Sequence, residues 1–283
     1  MFKLIIFLPI VFFPTCANGF NLFDEVKKSL MPSNDAPFIV KELFLTIFEN
    51  ADEHDAKFLN KTMKEFRENK DILLEILITR NKKQIASIKS KYKQMFGHEL
   101  ADEIASHTRG TYKDLLMALL KADRDESAKT DRTKAKQDAE RLYKAGEKRL
   151  GTDEEVFIQI FTSQNVPQLR YIFEEYQKLT GNSIEKALDS EFSGDEFDAF
   201  MDIASFVRKG PSGVLSRLVQ KAIKGPSNDE LLVHLIYSYK RLNLMNMLQD
   251  EFKHGFKGPL SEAVKDKAKS TLLKNTLINL ISG

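Results

Sequence analysis

Gly146-Glu147-Lys148-Arg149-Leu150-Gly151-Thr152-Asp153-Glu154-Glu155 is the segment on which the fold assignment rests. Its glycines predict a turn, and the apolar run that follows, from Val156 to Phe161, predicts a helix. Thr152 or Asp153 is suited to cap this helix, and the acidic residues lie at its positive end. A loop of this kind directs backbone carbonyl oxygens outward, where a hard cation such as Ca2+ could bind them. A simple helix cap explains the same residues, so the segment alone leaves both interpretations open.

The spacing of apolar residues is helical along nearly the whole chain from Phe20 onward. No alternating run is long enough to predict a strand, so we expect an all-α protein. The helices predicted in the first half of the chain are, in order, 22–30, 38–48, 52–66, 72–78, 83–95, 99–105 and 112–120.

The helical pattern repeats. At an offset of 84 residues Ile160 aligns with Ile76 and Gly181 with Gly97, and at an offset of 76 Ile160 aligns with Ile236. A period of about 75 residues, each unit holding about five short helices, predicts a repeat protein whose units bury one another's apolar faces. The charged segment 123–135 is almost devoid of apolar residues, which is typical of an exposed linker.

Three stretches together resemble an annexin. The segment from Ala145 to Glu155, followed by Phe157-Ile158-Gln159-Ile160-Phe161 and later by Asp189-Ser190-Glu191-Phe192-Ser193-Gly194, is similar to the third annexin repeat. Ala122-Asp123-Arg124-Asp125 and Gln137-Asp138-Ala139 resemble the linker between an annexin's second and third repeats. The resemblance implies a right-handed superhelical stack of five-helix repeats, three of them complete with part of a fourth. It assigns part of repeat one to 20–50, repeat two to 51–122, the linker to 123–135, repeat three to 136–209 and repeat four to 210–283.

The resemblance also implies a calcium site in repeat three. Each annexin loop offers backbone carbonyls, and an acid forty positions after the last glycine closes the site; here that acid is Glu191. The bound ion would bridge the protein to the phosphate of acidic lipid, and Leu150 at the loop tip would reach the lipid interface. A solvated Glu191 beside an ordinary helix cap is the alternative. The implied ligands are the carbonyls of Gly146, Arg149 and Gly151 and the carboxylate of Glu191, with Thr152 and Glu154 able to hold a weaker secondary ion.

Repeat two does not preserve this arrangement. Glu65 and Arg67 stand where the glycines belong, and His107 takes the closing position. Residues other than glycine disfavour the turn, and histidine is a poor calcium ligand, so we expect no calcium site there.

Repeat four preserves only part of this arrangement. Gly225 is kept, but Ser227 replaces the second glycine and Lys267 takes the closing position. Asp266 lies beside that lysine, and a shift of one residue could bring its carboxylate to the loop. Repeat one has no loop, so membrane binding would depend on about one site, with little gain from multivalency.

Residues 1–19 predict a secretory signal peptide. Lys3 gives a basic start, Leu4 to Phe13 is apolar but too short to span a bilayer, and small residues follow near Ala17 and Gly19. Cleavage would remove Cys16, the only cysteine, so we expect a secreted extracellular protein without disulfides that associates peripherally with membranes.

Composition limits the other functional classes. A net charge of +2 provides no general attraction for nucleic acid or acidic lipid, so a local patch or a bound cation must supply it. The five histidines show no spacing typical of a metal site, and no nucleophile or phosphate-loop motif indicates an enzyme. The alternative function is a secreted, effector-type scaffold that binds host or extracellular proteins with little dependence on calcium or lipid.

Overall fold

The computed structural model describes residues 51–225, 228–255 and 258–282. The predicted signal peptide and the predicted part of repeat one, residues 1–50, lie outside the described residues.

Within those ranges the chain forms fifteen helices and no strand, which confirms the predicted all-α fold. None of these helices combines the length and the apolar character that crossing a lipid bilayer requires. The helices are α1 (Ala51–Lys64), α2 (Phe66–Thr79), α3 (Lys82–Phe96), α4 (Leu100–His107), α5 (Gly110–Lys121), α6 (Arg132–Ala145), α7 (Glu154–Ser163), α8 (Val166–Thr180), α9 (Ile184–Glu191), α10 (Gly194–Lys209), α11 (Pro211–Lys224), α12 (Asp229–Arg241), α13 (Met245–Gly255), α14 (Leu260–Lys267) and α15 (Thr271–Ser282).

The helices recur in sets of five, which we call repeat two (α1–α5), repeat three (α6–α10) and repeat four (α11–α15). Ile76, Ile160 and Ile236, aligned in the sequence, are all at most 1% exposed. Gly97 and Gly181 both end the third helix of their set in the left-handed conformation, with φ of 81° and 76°. In the left-handed conformation, the N–H of the residue that follows a helix can donate to one of the last carbonyls of that helix, and glycine adopts this conformation without steric cost.

Residues 52–217 form one compact unit. Within it α6 packs along α8, and repeats two and three share a core because α5 contacts α7 and α2 contacts α10. The remaining described residues, Ala51, 218–225, 228–255 and 258–282, belong to a second compact unit. There α15 packs against α12 and α14.

Most of the linker is exposed, and contacts with α8 hold it in place. Asn165 donates hydrogen bonds of 2.8 Å to the carboxylate of Asp125 and to the carbonyl of Lys129. Gln168 exchanges two hydrogen bonds of 2.8 Å with the backbone of Asp131. Asn165 and Gln168 are both 3% exposed, so buried amides at the start of α8 fix the path of the linker. Helix α6 begins at Arg132, inside the segment predicted as linker.

Candidate metal centre

The loop between α6 and α7 is held by its own backbone. The N–H of Arg149 donates to the carbonyl of Gly146 at 2.8 Å, and the N–H of Asp153 donates to the carbonyl of Ala145 at 2.8 Å. Gly151 adopts φ of 76°, a conformation that favours glycine. Gly146 is the first residue of this tight loop, and Gly151 lies in its second half.

Glu191 reaches this loop from the end of α9. A Cβ atom added to Gly146 would lie 3.0 Å from Cδ and 3.3 Å from Oε1 of Glu191, so the carboxylate rests directly on the glycine backbone. The hydroxyl of Thr152 donates a 2.6 Å hydrogen bond to Oε2 of the same carboxylate. The structure thus brings Glu191 to Gly146 and Thr152, which lie together in a loop much earlier in the sequence.

An aromatic cluster places Glu191 at the loop. Phe192, the next residue, is buried with its ring centroid 5.1 Å from that of Phe157 in α7 and 4.5 Å from that of Phe200 in α10. Because Phe157 lies in the first turn of the helix that follows the loop, the cluster ties the end of α9 to the start of α7. Aromatic pairs at such distances contribute about 0.5–1.5 kcal/mol each beyond burial of their area.

Glu147 is a residue of this centre that the sequence analysis did not identify. Its carboxylate accepts hydrogen bonds from the hydroxyl of Tyr176 at 2.6 Å and from the amide of Asn182 at 2.7 Å. Burial and the Glu147 carboxylate raise the pKa of the Tyr176 hydroxyl. Repeat two has Met63 in place of Glu147, and there the hydroxyl of Tyr92, the equivalent of Tyr176, has no hydrogen-bond partner among the described residues.

The other predicted residues lie on the outer side of the loop. The side chain of Leu150 is fully exposed at 102% relative accessibility, and Arg149 pairs with Asp153 at 3.5 Å. Glu154 is the exposed first residue of α7. The expected side-chain cap is absent: Asp153 precedes the helix but makes no capping hydrogen bond, and Thr152 is bound to Glu191 instead.

The oxygen atoms present fit a hard cation. Among the described residues no group of three or more His, Cys, Asp or Glu side chains could hold a metal, so an ion here would depend on backbone oxygens and one carboxylate. The Gly146 carbonyl accepts one hydrogen bond and keeps a second lone pair, and Oε1 of Glu191 lies on the glycine side, away from Thr152. Calcium accepts such mixed oxygen ligands in loose geometry.

Repeat two offers no comparable loop. Helices α1 and α2 are separated only by Glu65, so the chain makes a single turn where repeat three has its loop. His107, the last residue of α4, packs its ring 5.8 Å from that of Phe66.

Repeat four closes its loop with a lysine. Lys267 is the last residue of α14, and its ammonium donates a 2.7 Å hydrogen bond to the carbonyl of Gly225. Asp266, the neighbouring acid, is exposed. The fourth helix of each repeat is eight residues long, and the three final residues are histidine, glutamate and lysine.

Comparisons with a family model and with related sequences indicate the same family. The sequence model described as Annexin matches residues 54–119 and 137–203. Human annexin A3 is 37% identical over 225 residues, covering 78% of this chain and 69% of annexin A3. Human annexin A5 is 30% identical over 261 residues, covering 92% of this chain and 79% of annexin A5.

Solved structures agree. The structure of annexin III is similar with a TM-score of 0.80 at 33% identity, covering 94% of this chain and 80% of that chain. A calcium-bound annexin (Sm)1 is similar with a TM-score of 0.77 at 20% identity, covering 93% and 77%, and this likeness supports the fold alone.

Proposed function

The chain belongs to the annexin family, and we propose that it binds acidic phospholipid membranes through a calcium ion held in repeat three. Calcium-dependent phospholipid binding is the general property of annexins, which are typically not enzymes. The resemblance seen in the sequence and the fold it implied are both confirmed.

The carbonyls of Gly146, Arg149 and Gly151 and the carboxylate of Glu191 would hold the ion, with Thr152 and Glu154 as the secondary ligands. When bound, calcium would supply the positive charge that attracts lipid phosphate. The chain, with a net charge of only +2, has no general positive charge to do this. Thr152 orients the Glu191 carboxylate, and Glu147 holds the loop against α8.

The proposal rests mainly on one observation, the close contact of the Glu191 carboxylate with the backbone of Gly146. Oε1 of Glu191 lies 3.3 Å from the place where a Cβ of residue 146 would stand, and Oε2 accepts the hydrogen bond from Thr152, so the carboxylate is held at the loop with one oxygen on the glycine side. The exposed side chain of Leu150 adds an apolar group beside it that can enter a lipid interface.

Co-sedimentation with vesicles tests the proposal. Wild-type protein should pellet with phosphatidylserine vesicles in calcium and remain in solution in EDTA or with phosphatidylcholine alone. The variant E191Q should lose calcium-dependent pelleting, whereas E174Q, which removes an exposed acid on α8, should behave as wild type. Equal pelleting with and without calcium, or pelleting that E191Q leaves unchanged, would refute the proposal and favour the protein-binding scaffold.

We also propose that the protein is secreted, on the strength of the basic start, short apolar run and small residues in positions 1–19. Millimolar extracellular calcium would suit even a weak single site. N-terminal sequencing of material from culture medium should find a start near Phe20; an intact Met1 on cell-retained protein would contradict secretion.

A further inference from the structure

The closing residue of repeat four carries the opposite charge to that of repeat three. Lys267 aligns with Glu191 at the offset of 76 residues, and each is the last residue of an eight-residue helix. At the same offset Gly225 aligns with Arg149, whose carbonyl belongs to the implied ligand set of repeat three. The 2.7 Å bond from the Lys267 ammonium to the Gly225 carbonyl therefore joins a cation to the equivalent of a ligand oxygen.

A second contact holds the same two segments together. The backbone N–H of Lys269, just beyond α14, donates to the carboxylate of Asp229 at 3.2 Å. Asp229 begins α12, which Asn228 caps by accepting from the N–H of Leu231 at 3.0 Å. The end of α14 is thus tied to both sides of the loop by groups of the chain itself.

An ammonium is suited to this position. It is a compact point charge with three donors, and its side chain is long enough to bring that charge from a helix end to a loop carbonyl. Lys267 is half-buried, so the charge is partly withdrawn from water and keeps its partner. A divalent ion at the same carbonyl would meet an adjacent positive charge, and that repulsion opposes its binding.

We propose that the ammonium of Lys267 is a built-in cation that takes the place of the metal in repeat four. It closes this loop without calcium and prevents calcium from binding there. The comparison with repeat three rests on the proposed function, whereas the contact of Lys267 with Gly225 does not. The proposed function and the proposed role of Lys267 can therefore fail separately.

Calcium titration by calorimetry tests the proposal in a background without the site of repeat three. The double variant E191Q/K267E should bind one calcium ion per chain more than E191Q alone. The matched control is E191Q/K265E, which makes the same charge change at an exposed lysine of the same helix and should gain no site. If E191Q/K267E takes up no more calcium than E191Q/K265E, the proposal is wrong.

This titration separates the two claims. A wild-type chain that binds no calcium, together with a gain in E191Q/K267E, would refute the proposed function and leave the lysine's role standing. If K267E does not fold, urea unfolding of K267Q in EDTA gives a second test: its midpoint should lie below those of wild type and of K265Q. A midpoint for K267Q equal to that of K265Q would show that the lysine does not close the loop.

Discussion

At Gly146, the carboxylate of Glu191 occupies the space where any other residue would place its side chain. Because an added Cβ would lie 3.0 Å from Cδ of Glu191, we expect G146A to push the carboxylate off the loop. Calcium affinity should fall about tenfold or more, which is about 1.4 kcal/mol of binding free energy. Calorimetric titration with calcium measures it.

Gly97, at the end of α3 in repeat two, provides the control for this substitution. It has φ of 81° with open space around it, so G97A strains the backbone without touching the site of repeat three. We expect a loss of about 1–2 kcal/mol in the free energy of unfolding and unchanged calcium affinity. Wild-type affinity in G146A would contradict the proposed seat of Glu191.

Two tyrosines at equivalent positions make a matched pair. The hydroxyl of Tyr176 donates to Glu147, whereas that of Tyr92 is buried with no hydrogen-bond partner among the described residues. We expect Y176F to cost about 2 kcal/mol in the free energy of unfolding, because a bond to a charged group is lost. Y92F should be neutral or slightly stabilising, since it removes an unpaired polar group. Equal losses in urea unfolding would rule out this difference.

The sequence predicted the loop and Glu191 but not the partners of Glu147. Spacing identifies which residues face the core, and both tyrosines fit that pattern equally well. Whether a buried hydroxyl finds a carboxylate depends on one residue at the loop, Glu147 or Met63, and only the folded geometry shows the contact.

Among the helix connections, the linker depends on Asn165. Its side chain caps α8 by accepting from the N–H of Gln168 at 2.7 Å while donating to Asp125 and to Lys129. We expect N165A to lower the free energy of unfolding by about 3 kcal/mol, about 1 kcal/mol for the cap and about 1 kcal/mol for each further bond. Urea unfolding measures the loss.

Asn81 is the corresponding cap of α3, at an exposed position and paired with Gln84. N81A should cost only about 1 kcal/mol, because it removes a cap and no linker contact. If N165A cost no more than N81A, the linker contacts would contribute nothing to stability.

Helical periodicity predicted the elements but not all of their limits. The predicted helix 72–78 is α2, which begins at Phe66, because the charged residues of its first turns lack an apolar signal. The anchoring of the linker was also beyond prediction. It relies on hydrogen bonds from polar side chains at the start of α8 to backbone more than thirty positions earlier, and such bonds leave no periodic pattern.

For the chain as a whole, the repeat offsets predicted the order of helices and the equivalence of His107, Glu191 and Lys267. They could not predict what each closing residue binds. The contact of Lys267 with Gly225 depends on the reach of a flexible side chain, so the sequence suggested a weakened acidic site where the structure places a cation.

The free energy of unfolding should depend on pH partly through one buried acid, Asp202. Asp202 of α10 contacts Arg217 and is 1% exposed. Burial, with Asp71 and Asp198 nearby, raises its pKa to about 6 in spite of Arg217. The folded chain therefore binds more protons than the unfolded chain between about pH 4 and 6. Asp202 should stabilise the fold most below this window and lose up to about 3 kcal/mol of that contribution as pH rises through it.

Urea unfolding across pH 4 to 7 tests this dependence. D202N should remove the decline that Asp202 contributes, so the difference in free energy of unfolding between D202N and wild type should change across the window. D189N, at an exposed acid of α9, should run parallel to wild type. A constant difference for D202N would show that Asp202 keeps an ordinary pKa.

The most direct measurement is a crystal structure of the protein grown or soaked with calcium, with the ion located by its anomalous scattering. We predict a peak within about 2.3–2.6 Å of the Glu191 carboxylate and of the loop carbonyls of repeat three, and no peak at Gly225 beside Lys267. A loop of repeat three that stayed empty at millimolar calcium, or a peak at Gly225 with Lys267 displaced, would contradict it.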